Sequence, residues 1–386
     1  MRIFISTGEV SGDLQGAMLV AALFRQAKLA NLNLEIVALG GEQMVQQGAK
    51  LIENTSAIGS VGIVESLPLV LPTWRVQRQA KAYLNSHPPD LVVLIDYLGP
   101  NLAIGRYLRQ KYPHVPIIYY IAPQAWVWSP NNADTKEIAK ITDHLLAIFP
   151  EEARFFSAQG VRVTWVGHPL LDRLADSPSR EMARQNLGID AQTTVITLFP
   201  ASRQQEIKYV LPVMFAAAKV IQDRLSQPLE YLIPLSLPKY AAAIAEAIAT
   251  YGLKARIIRE SSLTAIAAAD LAITKSGTVN LEIALLNVPQ VVLYRVNPLT
   301  MWVARNLLKF SIPFMSPPNL VMNRAIVPEL LQEEASCEGI VTEALAILTN
   351  SAKINQIKAD YQVMATSLGE VGVCDRAAVA ILNMLT

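Results

Sequence analysis

The sequence predicts an α/β protein of two Rossmann-like, doubly wound domains in tandem, facing a cleft. Three observations predict it. The chain has 386 residues, more than one average domain and suited to two of roughly 150 to 200 residues. Hydrophobic residues make up 52% of it and mean hydropathy is +0.30, which implies large buried parallel sheets or an apolar surface. Short apolar runs alternate with helical patterns, as parallel strands covered on both faces do.

The first half runs through RIFIS, LEIVALG, LVVLID, PIIYYIA, HLLAIFP and VRVTWVG. After GHPLLDRLADSPSR the pattern restarts with TTVITLFP, LEYLIPLS, KARIIRE, LAITKS and PQVVLYR. Between Pro169 and Gln192 the chain is more polar, with a turn signal at Ser177, Pro178 and Ser179, so it reads as a linker. The expected boundaries are therefore 1–168, a linker 169–192, and 193–386 with helices beyond Cys337.

A net charge of +1 supplies no global field to steer nucleic acid. Cys337 and Cys374 are far apart without metal spacing, which suggests a reducing compartment and structural roles. The N-terminal MRIFISTGEVSGD has too short an apolar run for a signal peptide, and Glu9 and Asp13 follow at once. No apolar run approaches the roughly 18 residues of a membrane span. The expected location is the cytoplasm.

In open α/β sheets, ligands sit outside the carboxyl ends of the strands. In ITKSGTVNLEIALLNVPQVVLYR, Ser276, Gly277 and Thr278 lie where a strand turns into a helix. N–H groups and the positive helix end meet there, Gly277 allows close approach, and two hydroxyls add donors, a candidate phosphate seat. Glu282, four residues past Thr278 on the same face, suits sugar hydroxyls. Together they suggest a nucleotide diphosphate; an ordinary cap at Ser276 with a solvated Glu282 is the plainer alternative. In LFPASRQQEI, Arg203 at a strand end could clamp phosphate, or Ser202 and Gln205 form a capping box beside a solvated Arg203.

FISTGEVSGDLQGA makes a glycine-rich turn at Gly8, Gly12 and Gly16 without the dinucleotide fingerprint. Glu9 and Asp13 would repel phosphate and suit sugar hydroxyls or an amine, unless Ser11 or Asp13 only caps the helix. In LVVLIDYLGPNL an apolar strand ends at Asp96. A carboxylate at the end of a buried strand is costly unless satisfied, and burial raises a carboxyl pKa. Asp96 is thus the candidate general base, with Asn101 near it, or else it ties down the following turn. In YYIAPQAWVWSP, Gln124, Trp126 and Trp128 follow another strand, where an aromatic pair suits stacking on a sugar or acyl chain, or core filling. In VTWVGHPLLD, His168 is a second acid/base candidate, a phosphate partner, or a satisfied histidine between domains.

Several stretches match one family in order: GEVSGDLQGA, MVQQG, IGSVGIVESL, LIDYLGPNL, YYIAPQAWVW, FPEEARFF, WVGHPLLD, LFPASRQQEI, TKSGTVNLEIALLNVPQVVLYR and PPNLVMNRAIVPELLQ. The set resembles the lipid-A-disaccharide synthases, inverting glycosyltransferases with a GT-B-type fold. The resemblance implies transfer from UDP-2,3-diacylglucosamine to the 6-hydroxyl of 2,3-diacylglucosamine 1-phosphate. The β-1,6-linked disaccharide phosphate and UDP are then the products, with no metal or redox cofactor. It implies Asp96 as the catalytic base. It puts donor contacts at Arg203, Ser276, Gly277, Thr278 and Glu282, with Asn319 and Glu329 as helpers. Glu9, Ser11, Gly12, Asp13, Asn101, Gln124, Trp126 and His168 fall on the acceptor side.

The chain departs from the family pattern at Gly99 and Pro100, where an Asp and a Phe are frequent, at Ala201 for Gly, and at Gln15 for His. Acylated substrates imply peripheral contact at the cytoplasmic face of the inner membrane. Trp74 with Arg75, Arg78 and Lys81, and Trp302 and Phe310 with Arg305 and Lys309, suit such a surface or a helix packed on the core. A homodimer stays open. Two alternatives remain: another UDP-sugar enzyme, such as an epimerase or a transferase with a different acceptor, and a non-catalytic sugar-nucleotide- or lipid-binding homologue.

Overall fold

The computed structural model describes residues 1–56, 69–127, 132–259, 261–297, 301–302, 306 and 312–385. The described residues of Met1–Arg173 and Leu368–Thr386 form one compact unit, and those of Leu174–Ala304 and Ile312–Ser367 form another.

In the first unit, β1 (Arg2–Ser6), β2 (Glu35–Gly40), β3 (Lys50–Asn54), β4 (Leu91–Ile95), β5 (Ile117–Tyr120), β6 (His144–Ala147) and β7 (Val163–Trp165) make one parallel sheet. Its order is β3-β2-β1-β4-β5-β6-β7. The crossovers carry α1 (Glu9–Leu29), α2 (Glu42–Gln46), α3 (Val70–Ser86), α4 (Leu98–Lys111), α5 (Ala133–Ile141) and α6 (Pro150–Ala158). Every residue of β4 and β5 is 0% exposed, which only a strand covered on both faces achieves, and it explains their unbroken apolar runs.

After β7 the chain forms α7 (Leu170–Leu174) and α8 (Arg180–Leu187). The second sheet joins β8 (Thr194–Phe199), β9 (Leu229–Pro234), β10 (Ala255–Ile258), β11 (Leu271–Lys275), β12 (Gln290–Tyr294) and β13 (Glu329–Leu331), all parallel, in the order β10-β9-β8-β11-β12-β13. Around it lie α9 (Gln204–Tyr209), α10 (Leu211–Arg224), α11 (Ala241–Tyr251), α12 (Ser262–Ala267) and α13 (Val279–Leu285). α14 (Pro317–Met322), α15 (Cys337–Leu348) and α16 (Ser351–Ser367) follow, and then α17 (Val373–Leu382).

Strand order reverses between β1 and β4 in one sheet and between β8 and β11 in the other. There Ser6 pairs with Leu94 and Phe199 with Thr274. Crossovers on either side of such a point leave toward opposite faces and open a crevice, where open α/β sheets bind ligands.

Two expected boundaries differ from this division. The 169–192 linker folds as α7 and α8. Arg184 on α8 is buried and donates to the carbonyls of Ala268, Asp190, Ala191 and Thr193 and to Asp270. A polar stretch therefore packs, because its arginine has every partner it needs. The last helix, expected with 193–386, belongs to the first unit. Asp172 on α7 accepts the N–H groups of Gly372, Val373 and Cys374 at 2.6, 3.0 and 2.7 Å, which caps α17. α17 packs on α1, where Asp375 accepts from Arg25 and Gln26.

Candidate functional site

At the β1/β4 switch point the backbone is strained. Asp96 and Tyr97 have φ of 44° and 51°, and Ile121 after β5 has 62°. A side chain holds this region only where its surroundings over-determine it, above all a β-branched one. They do so here. The Asp96 N–H donates to the Ile121 carbonyl at 2.9 Å. The Asp96 carbonyl accepts from Asn101 Nδ2 at 2.7 Å and from the Tyr119 hydroxyl at 2.8 Å. Asn101 is wholly buried; it also donates to the Ser6 and Ile95 carbonyls and accepts the Ser6 hydroxyl. Asn101 thus fixes the ends of β1 and β4. The Asp96 side chain itself is exposed, so the expected burial of its carboxylate is corrected: the strand is buried, and the carboxylate stands beyond its end.

Across the switch point, Glu9 is half-buried at the start of α1 with φ 62°. A Cβ on Gly8 would fall 2.6 Å from the Tyr97 ring, so Tyr97 lies against the β1 turn. Burial, with a lesser push from Glu9, raises the Tyr97 phenol above its usual range. Ser11 is half-buried in the first turn of α1. A Cβ on Gly12 would clash with Thr7 Oγ1, so Gly12 serves packing. Asp13 is 4% exposed and accepts the N–H groups of Gly41, Gln43 and Met44 at 2.9, 3.1 and 3.1 Å. It caps α2 and is not turned to a sugar. Gly99 and Pro100 form the first turn of α4, and Gly99 borders open space.

Glu152, not among the residues expected from the sequence, lies beneath this corner. Its Oε1 accepts the Ala122 N–H at 2.7 Å, and its Oε2 accepts those of Ile148 and Phe149 at 2.8 and 3.2 Å. One carboxylate so ties the exits of β5 and β6. Burial pushes it up to about 7 despite three hydrogen bonds, and the charge of Asp96 adds to the shift. A signal existed in FPEE, an acid at the third helical position after an apolar strand. Of the readings of His168, the structure matches the satisfied one. Burial drives it down to about 3, so it is neutral at pH 7, and its Nδ1 accepts the Leu170 N–H at 3.2 Å. Its ring packs on Phe149, which in turn packs on Trp126. Trp126 is half-buried and Gln124 exposed; Trp128 lies outside the described residues.

At the β8/β11 switch point the turn differs from the expected phosphate seat. Ser276 donates its N–H to the Leu293 carbonyl at 2.8 Å and its hydroxyl to the Met315 carbonyl at 2.7 Å. The Gly277 N–H goes to Asn280 Oδ1 at 2.7 Å. Asn280 is held by Gln290, which reaches the Tyr361 hydroxyl, all of them buried. Two of the three N–H groups are therefore spent inside the fold, and the helix cap is Thr278 rather than Ser276. Thr278 is half-buried, and Glu282, one turn on, is 6% exposed rather than solvated.

Arg203 caps α9, but its capping acid is Glu206 and not Gln205. Glu206 Oε2 accepts the N–H groups of Ser202 and Arg203 at 2.5 and 3.0 Å. Glu206 Oε1 lies 3.4 Å from the Arg203 guanidinium and 3.8 Å from Lys275 Nζ. Lys275, the last residue of β11, lies at the same switch point. Asn319 and Glu329 are hydrogen-bonded within the fold. Asn319 accepts from Ile326 and Val327 and donates to Val327 and Glu329. Glu329 accepts from Met315, Ser316 and Asn319. Both are spent on the loop that frames α14. Ala201 is buried, and its carbonyl accepts the Ser236 hydroxyl.

Residues 3–384 match the family described as lipid-A-disaccharide synthetase. The lipid-A-disaccharide synthase of Gloeothece citriformis is 58% identical over 383 residues, covering 99% of this chain and 100% of that one. Among solved structures, a putative UDP-N-acetylglucosamine 2-epimerase from Listeria monocytogenes superposes with a TM-score of 0.69 at 16% identity, covering 99% of this chain and 95% of that one. MurG from Acinetobacter baumannii gives 0.56 at 15% identity, covering 99% of each chain. At such identities the likeness concerns the fold alone, two Rossmann-like α/β units.

Proposed function

The chain belongs to the lipid-A-disaccharide synthase family, and from that premise we propose that Asp96 is the base of a glycosyl transfer from UDP-2,3-diacylglucosamine to 2,3-diacylglucosamine 1-phosphate. The protein is a glycosyltransferase of lipid A disaccharide formation, with a UDP-sugar as its nucleotide substrate. The acceptor 6-hydroxyl must lose a proton as its oxygen attacks the anomeric carbon, and Asp96 takes that proton. Attack comes from the face opposite UDP. The bond from the anomeric carbon to the diphosphate oxygen breaks, its electron pair leaves with UDP, and the centre inverts to the β-linked product. Cations at the β8/β11 switch point stabilise the charge that develops on the diphosphate.

The observation that supports Asp96 most is how it is held. A strained backbone at a switch point is pinned through both its N–H and its carbonyl, while the carboxylate stands exposed. The test is a mass-spectrometric assay of purified protein with both substrates. The expected products are the disaccharide 1-phosphate and UDP. Asp96→Asn should lower kcat by about 10² to 10⁴ with UDP affinity retained; equal turnover would remove the base assignment. A wild type that binds UDP yet forms no disaccharide would point to a different acceptor, and to the Gly99–Pro100 turn as its reader.

Peripheral contact with the cytoplasmic face of the inner membrane completes the proposal, since both substrates carry acyl chains. Among the described residues no helix is long and apolar enough to cross a membrane. Val70, Leu71 and Trp74 on α3 are 57%, 69% and 58% exposed, with Arg75 and Arg78 exposed beside them. Thr73 neighbours the Tyr97 hydroxyl, so this apolar turn adjoins the Asp96 corner. Trp302 is exposed as well; Arg305, Lys309 and Phe310 lie outside the described residues.

A further inference from the structure

We infer that Glu152 is a positioning residue of the transfer: its carboxylate holds the Ile121–Ala122 peptide, and that peptide fixes the backbone of Asp96. The inference rests on the reading of Asp96 as the base and names the group that aims it.

One peptide group makes the link. In a trans peptide the C=O and N–H are coplanar and point opposite ways, so fixing one end fixes the other. Here the Ala122 N–H donates to Glu152 Oε1 at 2.7 Å, and the Ile121 carbonyl accepts the Asp96 N–H at 2.9 Å. The peptide is thus stretched between the Glu152 carboxylate and the Asp96 backbone. Asn101 and Tyr119 hold Asp96 on its carbonyl side, and Ile121 holds it on its N–H side.

The link needs an outside hold because neither backbone relaxes into place. Ile121 is β-branched with φ 62°, and Asp96 has φ 44°. Left free, both would return to negative φ and turn the peptide. The strand ladder does not reach far enough to prevent this. β5 pairs with β6 from Ile118 to Tyr120, and the Ile121 N–H still reaches the Leu146 carbonyl at 3.3 Å. Past that bond Glu152 takes over the pairing. Its Oε1 accepts from Ala122 after β5, and its Oε2 accepts from Ile148 and Phe149 after β6, at 2.8 and 3.2 Å. Glu152 is 1% exposed, so water does not compete for these bonds. A glutamine would set an NH2 donor against one set of N–H groups. An aspartate, one methylene shorter, would reach only one strand exit.

The experiment measures kcat, KM for the UDP-sugar and hydrogen exchange in the wild type, Glu152→Gln, Glu152→Asp and Asp96→Asn. Both Glu152 variants should lose about 10- to 100-fold in kcat with KM for the UDP-sugar unchanged. Exchange at the Asp96 N–H should speed by about tenfold or more, while Val92, Val93 and Leu94 in β4 exchange as in the wild type. Wild-type kcat in both Glu152 variants, beside a slow Asp96→Asn, would overturn this inference and leave the base reading standing. Exchange raised equally at Asp96 and throughout β4 would mark Glu152 as structural and overturn it too, as would loss of both variants to unfolding. Asp96→Asn turning over like the wild type would remove the base reading, and this inference with it.

Discussion

Glu152 shows what burial does to a single carboxylate. It is wholly buried, and three N–H groups do not offset the lost hydration, so its pKa is pushed from 4.5 to about 7. The folded chain therefore holds that proton more tightly than the unfolded chain. Below pH 4.5 both states are protonated and the burial of charge costs nothing. Above about pH 7 both are ionised and the cost is full, on the order of 3 kcal/mol. This contribution to stability is lost as pH rises through that window. His168, driven from 6.5 down to about 3, acts in the opposite sense: its contribution is lost as pH falls from 6.5. A comparison with Glu152→Gln removes the histidine from the account, since both proteins carry it. The thermal midpoint of the wild type relative to Glu152→Gln should be higher at pH 5 than at pH 8. A gap that does not change with pH would show that Glu152 is ionised throughout.

The secondary elements and their caps were legible to very different degrees. The strands were plain, because β4 and β5 are covered on both faces and so are apolar at every position. Asp96 and Arg203 stand out as candidates for the same reason: they are polar residues just past such runs, at strand exits. The caps were misread. Local rules seek an acceptor three or four residues from the N–H it serves. Here Asp13 caps α2 from 28 residues away, and Asp172 caps α17 from 200. Glu329 likewise serves the N-terminus of α14 from the following strand. Tertiary caps leave no local spacing, so the capping roles of Asp13 at α2 and of Glu329 at α14 do not show in the sequence. Lys275 and Glu206 stayed hidden because their pairing joins two separate strand exits. The cap at α17 also explains why the last helix leaves the unit that precedes it in sequence. Asp172→Ala should cost about 1 to 2 kcal/mol and speed hydrogen exchange in α17 well above that in β4. Unchanged exchange in α17 would mean that its packing on α1 suffices without the cap.

At the scale of the whole molecule, each sheet contributes its chemistry at the point where its strand order reverses. Asp96 stands at one, and Arg203 with Lys275 at the other. Charge cannot bring such a molecule to a bilayer from a distance, because the net value is only +1. The proposed membrane contact therefore calls for a local patch, and the exposed Val70, Leu71 and Trp74 of α3 form one, with the Arg78 guanidinium 5.7 Å from the Trp74 ring centroid. Burying a side chain of this size is worth roughly 1.5 to 3 kcal/mol, and each arginine adds about 1 kcal/mol near an anionic surface. Two losses of that size change partitioning by well over tenfold. Leu71→Gln with Trp74→Gln should therefore abolish most co-sedimentation with anionic vesicles while UDP affinity is unchanged. Added salt should weaken the wild type only in part, since salt screens the arginines and not the apolar contacts. Vesicle binding that survives the double substitution, or that salt abolishes completely, would assign the membrane contact to a different, basic surface.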